Sequence, residues 1–217
     1  MLAHKLRRAS SRNPVLTYVT SLSDTADLTT YTFTGASIGT AAADRLVVIV
    51  AETINTSART IDSATIGGVA ATLVVKTTTT NNAAAAIFSL TVAAGTTADI
   101  TFTCSGATLR AALHIYTITG LSSTTATDTD QVVSASATSL TRNVDVSEGG
   151  VMIGGGRTSN GAVTWTGLTE DAGLTVEALQ EFSAASASSM TAEAGRTITA
   201  TGGGAAAASC LAVAAWR

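Results

Sequence analysis

Short runs rich in Val, Ile and Thr, broken every roughly 8–12 residues by Gly, Ser, Asn or Asp, constrain this chain to an all-β sandwich or barrel. No segment of adequate length repeats apolar residues at the 3.6-residue helical period. Ala178 to Ala187 comes nearest, and its serines argue against a helix. Thr30-Tyr31-Thr32-Phe33-Thr34 alternates with period two, which puts Tyr31 and Phe33 on one face of a half-buried strand and threonines on the other. Arg45-Leu-Val-Val-Ile-Val-Ala-Glu52 is apolar on both faces and β-branched, as a central strand covered on both sides would be. Ser63 to Ile66 and Val69 to Val75 flank Gly67-Gly68, a pair that accepts the positive φ values of a two-residue hairpin turn.

Ala84 to Val92, Ala98 to Cys104 and Leu109 to Ile118 read as further strands, after a polar loop over Lys76 to Asn82. The second half keeps a weaker version of the same rhythm: Val132 to Leu140, Arg142 to Val146, Gly150 to Gly155, Ala162 to Thr166, Thr175 to Phe182, Ser188 to Ala192, Arg196 to Thr201 and Ala205 to Trp216. Asn160-Gly161 marks a turn. The expected fold is all-β, a two-sheet antiparallel sandwich of jelly-roll or immunoglobulin-like type. It forms one domain over 14–217 behind an N-terminal arm, 1–13. Val47, Ile49, Leu113, Ile115, Leu211 and Val213 are its expected core. A two-layer sandwich leaves its outer faces polar, yet Arg45 to Glu52, Leu109 to Ile118 and the last strand are apolar on both faces. Symmetry-related neighbours or a supporting protein are the expected cover, which makes the chain a homo-oligomer or a part of a larger assembly.

Hydrophobic residues make up 46% of the chain and aromatic ones 4%, so the core must be built from Val, Ile, Leu and many Ala. No apolar run approaches the roughly 20 residues of a membrane helix. No apolar stretch follows the basic N-terminal residues, so no secretory signal is expected and the chain should stay in the cytoplasm where it is made, or travel in an assembly. Cys104 and Cys210 are expected as free, buried thiols. Four of the 12 Lys and Arg fall in the first 12 residues, and no acid precedes Asp24. Met1, Leu2, Lys5, Leu6, Arg7, Arg8 and Arg12 therefore form a basic, partly apolar arm on an acidic body. The arm is either a solvated terminus or an element that orders on an acidic surface of another protein. Four charges without interleaved aromatics do not suggest nucleic acid.

Charged residues are 12% of the chain and histidines number two, which leaves little for catalysis. Gly35-Ala36-Ser37-Ile38-Gly39 matches the nucleophile-elbow pattern, but no helix or βαβ alternation surrounds it. His4 lies in the arm, and His114 alternates within a strand as a packed side chain would. Asp128-Thr129-Asp130 opens like a calcium loop but lacks the later Gly and bidentate Glu, so it reads as an acidic turn. Trp165, followed by Glu170-Asp171, is the candidate glycan contact, with core or rim packing as the plainer role. Gly154 to Gly156 and Gly202 to Gly204 lack the Lys-Ser or Lys-Thr of a phosphate loop and read as turns or close backbone approaches. No catalytic residue, metal or cofactor is expected.

Tyr31-Thr-Phe-Thr-Gly-Ala-Ser-Ile-Gly39, Ala42-Ala-Asp-Arg-Leu-Val-Val-Ile-Val50 and Ala64-Thr-Ile-Gly-Gly-Val-Ala-Ala-Thr-Leu73 together resemble small β-sandwich proteins encoded among virion genes of tailed bacteriophages. The resemblance spans Tyr31 to Ile118, and beyond that only strand rhythm and Trp165. It implies a non-enzymatic structural component of the virion, a capsid decoration or head-fibre protein whose partners are the major capsid protein or tail components. A tail fibre or tail tip protein, or a carbohydrate-binding sandwich for host attachment, is the alternative.

Overall fold

The computed structural model describes residues 13–78, 82–158, 161–176, 181–205 and 208–217. Met1, Leu2, Lys5, Leu6, Arg7, Arg8 and Arg12 of the expected arm lie outside the described residues, as does Asn160 of the expected turn. The described residues form seventeen strands and no helix. In the first half these are β1 (Val15–Asp24), β2 (Leu28–Ser37), β3 (Leu46–Ile54), β4 (Ile61–Ile66), β5 (Val69–Ala70), β6 (Thr72–Lys76), β7 (Ala83–Thr91), β8 (Thr97–Thr108) and β9 (Arg110–Thr119). In the second they are β10 (Asp128–Ser134), β11 (Ser139–Val146), β12 (Gly150–Arg157), β13 (Val163–Thr166), β14 (Thr169–Thr175), β15 (Glu181–Met190), β16 (Glu193–Gly202) and β17 (Ser209–Trp216).

All pairings are antiparallel, and the sheets number four where one two-sheet sandwich is expected. Two belong to the first half, β1-β9-β3-β7-β6 and β2-β8-β4-β5, and two to the second, β10-β17-β12-β15-β14 and β11-β16-β13. β5 and β6 are one strand split by Ala71, its first part in one sheet and its second in the other. Counted so, each half has eight strands, in which the first, eighth, third and sixth lie side by side and the second, seventh and fourth form the facing sheet. That is jelly-roll pairing, carried out twice in the same order. The sandwich class is as expected; its duplication is not readable from strand rhythm, because periodicity finds strands and does not assign them to sheets.

Three large cores lie between the four layers, and a small fourth cluster is made by Ile54, Ala112, Val176 and Phe182. Tyr31, Phe33, Val47, Ile49, Phe88, Phe102, Leu113 and Ile115 fill the first jelly roll. Leu140, Val144, Met152, Ile198, Leu211 and Val213 fill the second. All six expected core residues are fully buried, four in one core and two in the other. Between the jelly rolls, Leu46, Val48, Val50, Ile87, Tyr116 and Ile118 meet Val151, Ile153, Cys210, Ala212, Ala214 and Trp216. This seam corrects the expectation of neighbouring subunits as cover: the outer faces of β3, β9 and β17 are covered by the other half of the same chain. Each buried Val, Leu or Ile there removes apolar surface worth about 1.5–3 kcal/mol.

The seam is nearly symmetric. β3 faces β12, β1 faces β14, and β6 faces β10, so the strand order of one inner sheet runs reversed across the other, as a two-fold axis along the strands would place it. Register agrees. Leu46 pairs with Ile118 as Val151 pairs with Trp216, Val50 with His114 as Gly155 with Ala212, and Glu52 with Ala112 as Arg157 with Cys210.

Local chemistry follows sequence where turns and faces are concerned. Gly67 and Gly68, with φ of 60° and 78°, close the β4–β5 hairpin in which Ile66 pairs with Val69. Tyr31 and Phe33 point inward, while the outward Thr30 and Thr32 bond Thr103 and Thr101 at 3.1 and 3.0 Å. The same hydroxyl pairing recurs on the other outer sheet, Ser139 with Thr201 at 3.0 Å and Thr141 with Thr199 at 2.9 Å. Several expectations fail: Val132 to Leu140 runs from the end of β10 across a break into the start of β11, and Ser188 to Ala192 is the end of β15 and the link after it, not a strand of its own. The expected strand over Thr175 to Phe182 begins at the last residue of β14 and ends on the second of β15, and its residues 177–180 lie outside the described residues. The chain from Val15 to Asp24, assigned no element, is an edge strand of an inner sheet.

Candidate functional site

Arg45 immediately precedes β3 at the end of the first jelly roll, and it is wholly buried. Nε donates to Val92 O at 2.8 Å, Nη1 to Ile38 O and Gly39 O at 3.1 and 2.7 Å, and Nη2 to Ala94 O and Gly95 O at 3.0 and 2.9 Å. All five donors of the planar fork are used on two loops. The neighbouring Asp44 carboxylate instead accepts from Gly120 N at 2.8 Å. Burial holds the Arg45 guanidinium below its ordinary pKa, and the carbonyl cage takes the place of a counter-ion. Arg45 is a clamp.

A second polar group crosses the inner sheet of the same jelly roll. A register shift in β1 between Tyr18 and Thr20 puts Tyr18 opposite Tyr116 and Ser21 opposite His114, so both side chains reach the seam face. Tyr18 Oη lies 2.7 Å from Ser21 Oγ, and Ser21 Oγ 2.6 Å from His114 Nδ1. His114 Nε2 lies 3.3 Å from Glu52 Oε2 on β3. His114 and Glu52 have no solvent exposure. Burial raises the Glu52 pKa above the carboxylate range; the hydrogen bond from His114 and the charges of His114 and Arg157 oppose that rise without cancelling it. Glu52 Oε1 has no hydrogen-bond partner among the described residues. Arg157, buried at the equivalent position of the second jelly roll, faces it across the seam, and burial lowers its pKa. The Tyr116 hydroxyl donates to Asp171 Oδ2 at 2.9 Å, which ties β9 to β14 across the same seam. Burial followed by the Asp171 charge raises the Tyr116 pKa, so the phenol remains a donor.

Ser21, His114 and Glu52 have the connectivity of a nucleophile, a base and an orienting acid. Catalysis also requires an approach for substrate, and the seam covers the base and the acid completely. Three surface clefts, of 460, 630 and 300 Å³, are lined by other residues. The Ser21 hydroxyl is itself held by Tyr18. What the arrangement does is satisfy and orient buried polar groups between the halves.

Ser37 of the Gly-x-Ser-x-Gly match is exposed at the end of β2 and pairs with Thr97, in the sheet farthest from the seam. The Asp128 carboxylate accepts from Thr129 N at 2.8 Å and Asp145 N at 2.6 Å, while Asp130 lies 3.4 Å from Arg142 Nε. Trp165, half-buried, donates from Nε1 to Ser183 Oγ at 2.8 Å, and Ser183 donates to Glu170 Oε1 at 2.9 Å. Gly154 sits under the indole, where a β-carbon would come within 3.1 Å of the ring, so that part of the ring is engaged in packing. Cys104 and Cys210 are free and buried in different cores. Tyr18, Ser21, Glu52 and Arg157 belong to no sequence motif. A signal existed: a charge at each end of a run apolar on both faces must be paired or hydrogen-bonded if that run is buried.

No protein-family model matches the chain, and no curated protein is significantly similar to it.

Proposed function

We propose that the chain is a non-enzymatic structural component of a tailed-phage virion, a block on the capsid or head that attaches through its basic arm. The observation that carries this reading is the use made of the buried polar groups: Arg45, Glu52 and His114 are sealed inside and consumed in joining loops and layers. The duplicated jelly roll supports it by analogy, since capsid proteins use that topology; lectins and cupins use it too, so fold alone does not choose. The resemblance of Tyr31 to Ile118 to virion sandwiches favours the capsid over the other two. Homo-oligomerisation no longer follows from uncovered apolar faces, because the seam covers them.

The test is quantification of this chain by mass spectrometry in purified particles from a producing culture. The reading expects a fixed copy number relative to the major capsid protein, and reduced occupancy when a variant lacking residues 1–12 is added to particles missing the chain. Recovery of the chain only from the soluble lysate would overturn it.

A further inference from the structure

The strand that runs from β5 through Ala71 into β6 is the last one in both sheets of the first jelly roll, and no described strand pairs with its outer side. Val69 lies opposite Ile66 and Leu73 opposite Phe88, and directly opposed residues share a face. Ile66 and Phe88 are buried in the first core, and Ala71 packs against it. Val69 and Leu73 therefore stand on the core face but at its open rim, 58% and 40% exposed, because each sheet ends there. The backbone is open as well. Ala71 N donates to Ala64 O at 2.9 Å, so the alternate residue Ala70 turns its N–H and C=O away from β4.

Edge strands are ordinarily blunted by charge. The equivalent strand of the second jelly roll, β14, carries Glu170 and Asp171, whereas the sequence between Asp62 and Lys76 has no charged residue. The cleft of about 460 Å³ that begins at Thr72, Leu73 and Val74 is lined by no charged residue either. Spacing selects the strand that would fit this edge. Val69 and Leu73 lie two residues to either side of Ala71. A second copy laid antiparallel across a two-fold axis at Ala71 would set Val69 of each chain against Leu73 of the other, and would bring no charge to the uncharged edge. We infer that two copies of the chain pair edge to edge through residues 69–73, each covering the rim of the other's first core. This pairing stands or falls independently of the virion reading, since it concerns the purified chain alone.

Sedimentation velocity of the full chain over a range of concentrations should show a monomer in equilibrium with a dimer. Amide exchange over residues 69–73 of the wild type should be slow where the dimer dominates and should speed up on dilution. Val69→Lys and Leu73→Glu, each at an exposed position, should each raise the dimer's dissociation constant about tenfold or more, because the two-fold axis places every change at two contacts. Mixed in equal amounts, the two variants should associate again, since the introduced lysine of one then opposes the introduced glutamate of the other. Wild-type chain that stays monomeric, exchange over 69–73 that is the same in monomer and dimer, or variants with wild-type circular dichroism that do not associate when mixed would each overturn the inference.

Discussion

Val50 of one jelly roll occupies the space that Gly155 of the other leaves open: a β-carbon at position 155 would overlap Val50 Cγ1 and stand 3.0 Å from Glu52 Oε1. The two residues lie on the equivalent central strands, so this is where the approximate symmetry is broken for fit. Gly155→Ala should destabilise the chain by about 1–3 kcal/mol through overpacking. Val50→Ala also destabilises, by leaving a void. The double variant should be more stable than the sum of the two, with a coupling of about 0.5–3 kcal/mol in urea unfolding. Strict additivity would mean that the seam does not close at this contact.

Glu52 makes stability depend on pH in an unusual direction. Its carboxyl is held above the ordinary range by burial, so the native state binds its proton more tightly than the unfolded chain does. The group's contribution is most favourable below the unfolded value of about 4.3 and is lost as pH rises through the higher folded value. Glu52→Gln removes that titration and keeps an oxygen for His114. The stability of the variant minus that of the wild type should increase with pH from about 4 upward and then level off, read from urea midpoints. A difference that falls with rising pH would contradict the raised pKa.

Arg45→Lys should cost a few kcal/mol although it keeps the charge. Lysine has three donors for five carbonyls, and each buried acceptor left bare costs about 1–3 kcal/mol. The damage should be local first. Amide exchange by mass spectrometry should rise in peptides covering 38–39 and 92–95 before the rest of the first jelly roll. Uniform exchange across the chain would remove the clamp role.

Which parts of this could be read from sequence follows from the range of the forces involved. Faces are local, so period-two alternation placed Tyr31 and Phe33 inward and separated Leu211 and Val213 from Cys210, Ala212, Ala214 and Trp216, and the structure puts the two sets in different cores. The Gly67-Gly68 turn is local for the same reason. The seam is not local. Its apolar strand faces were visible, but their cover lies about a hundred residues away in a half with weaker signals, and self-burial looks the same in sequence as burial against a second subunit. The polar chain was hidden further by the β1 bulge, without which Tyr18 and Ser21, three residues apart, would point to opposite faces.

Both thiols should be inert in the native chain. Burial pushes Cys104 up to about 11 and Cys210 up to about 12, so little thiolate forms near pH 8. Alkylation by iodoacetamide should wait for unfolding, with two equivalents taken up in denaturant. Rapid native labelling at Cys210 would mean that the seam opens.

The apolar seam and its polar ties fasten the two jelly rolls into one block. Differential scanning calorimetry of the intact chain tests this most directly. One transition is predicted, with a calorimetric enthalpy equal to the van't Hoff enthalpy. Two resolved transitions, with hydrogen exchange assigning one to residues 15–119 and the other to 128–216, would contradict it.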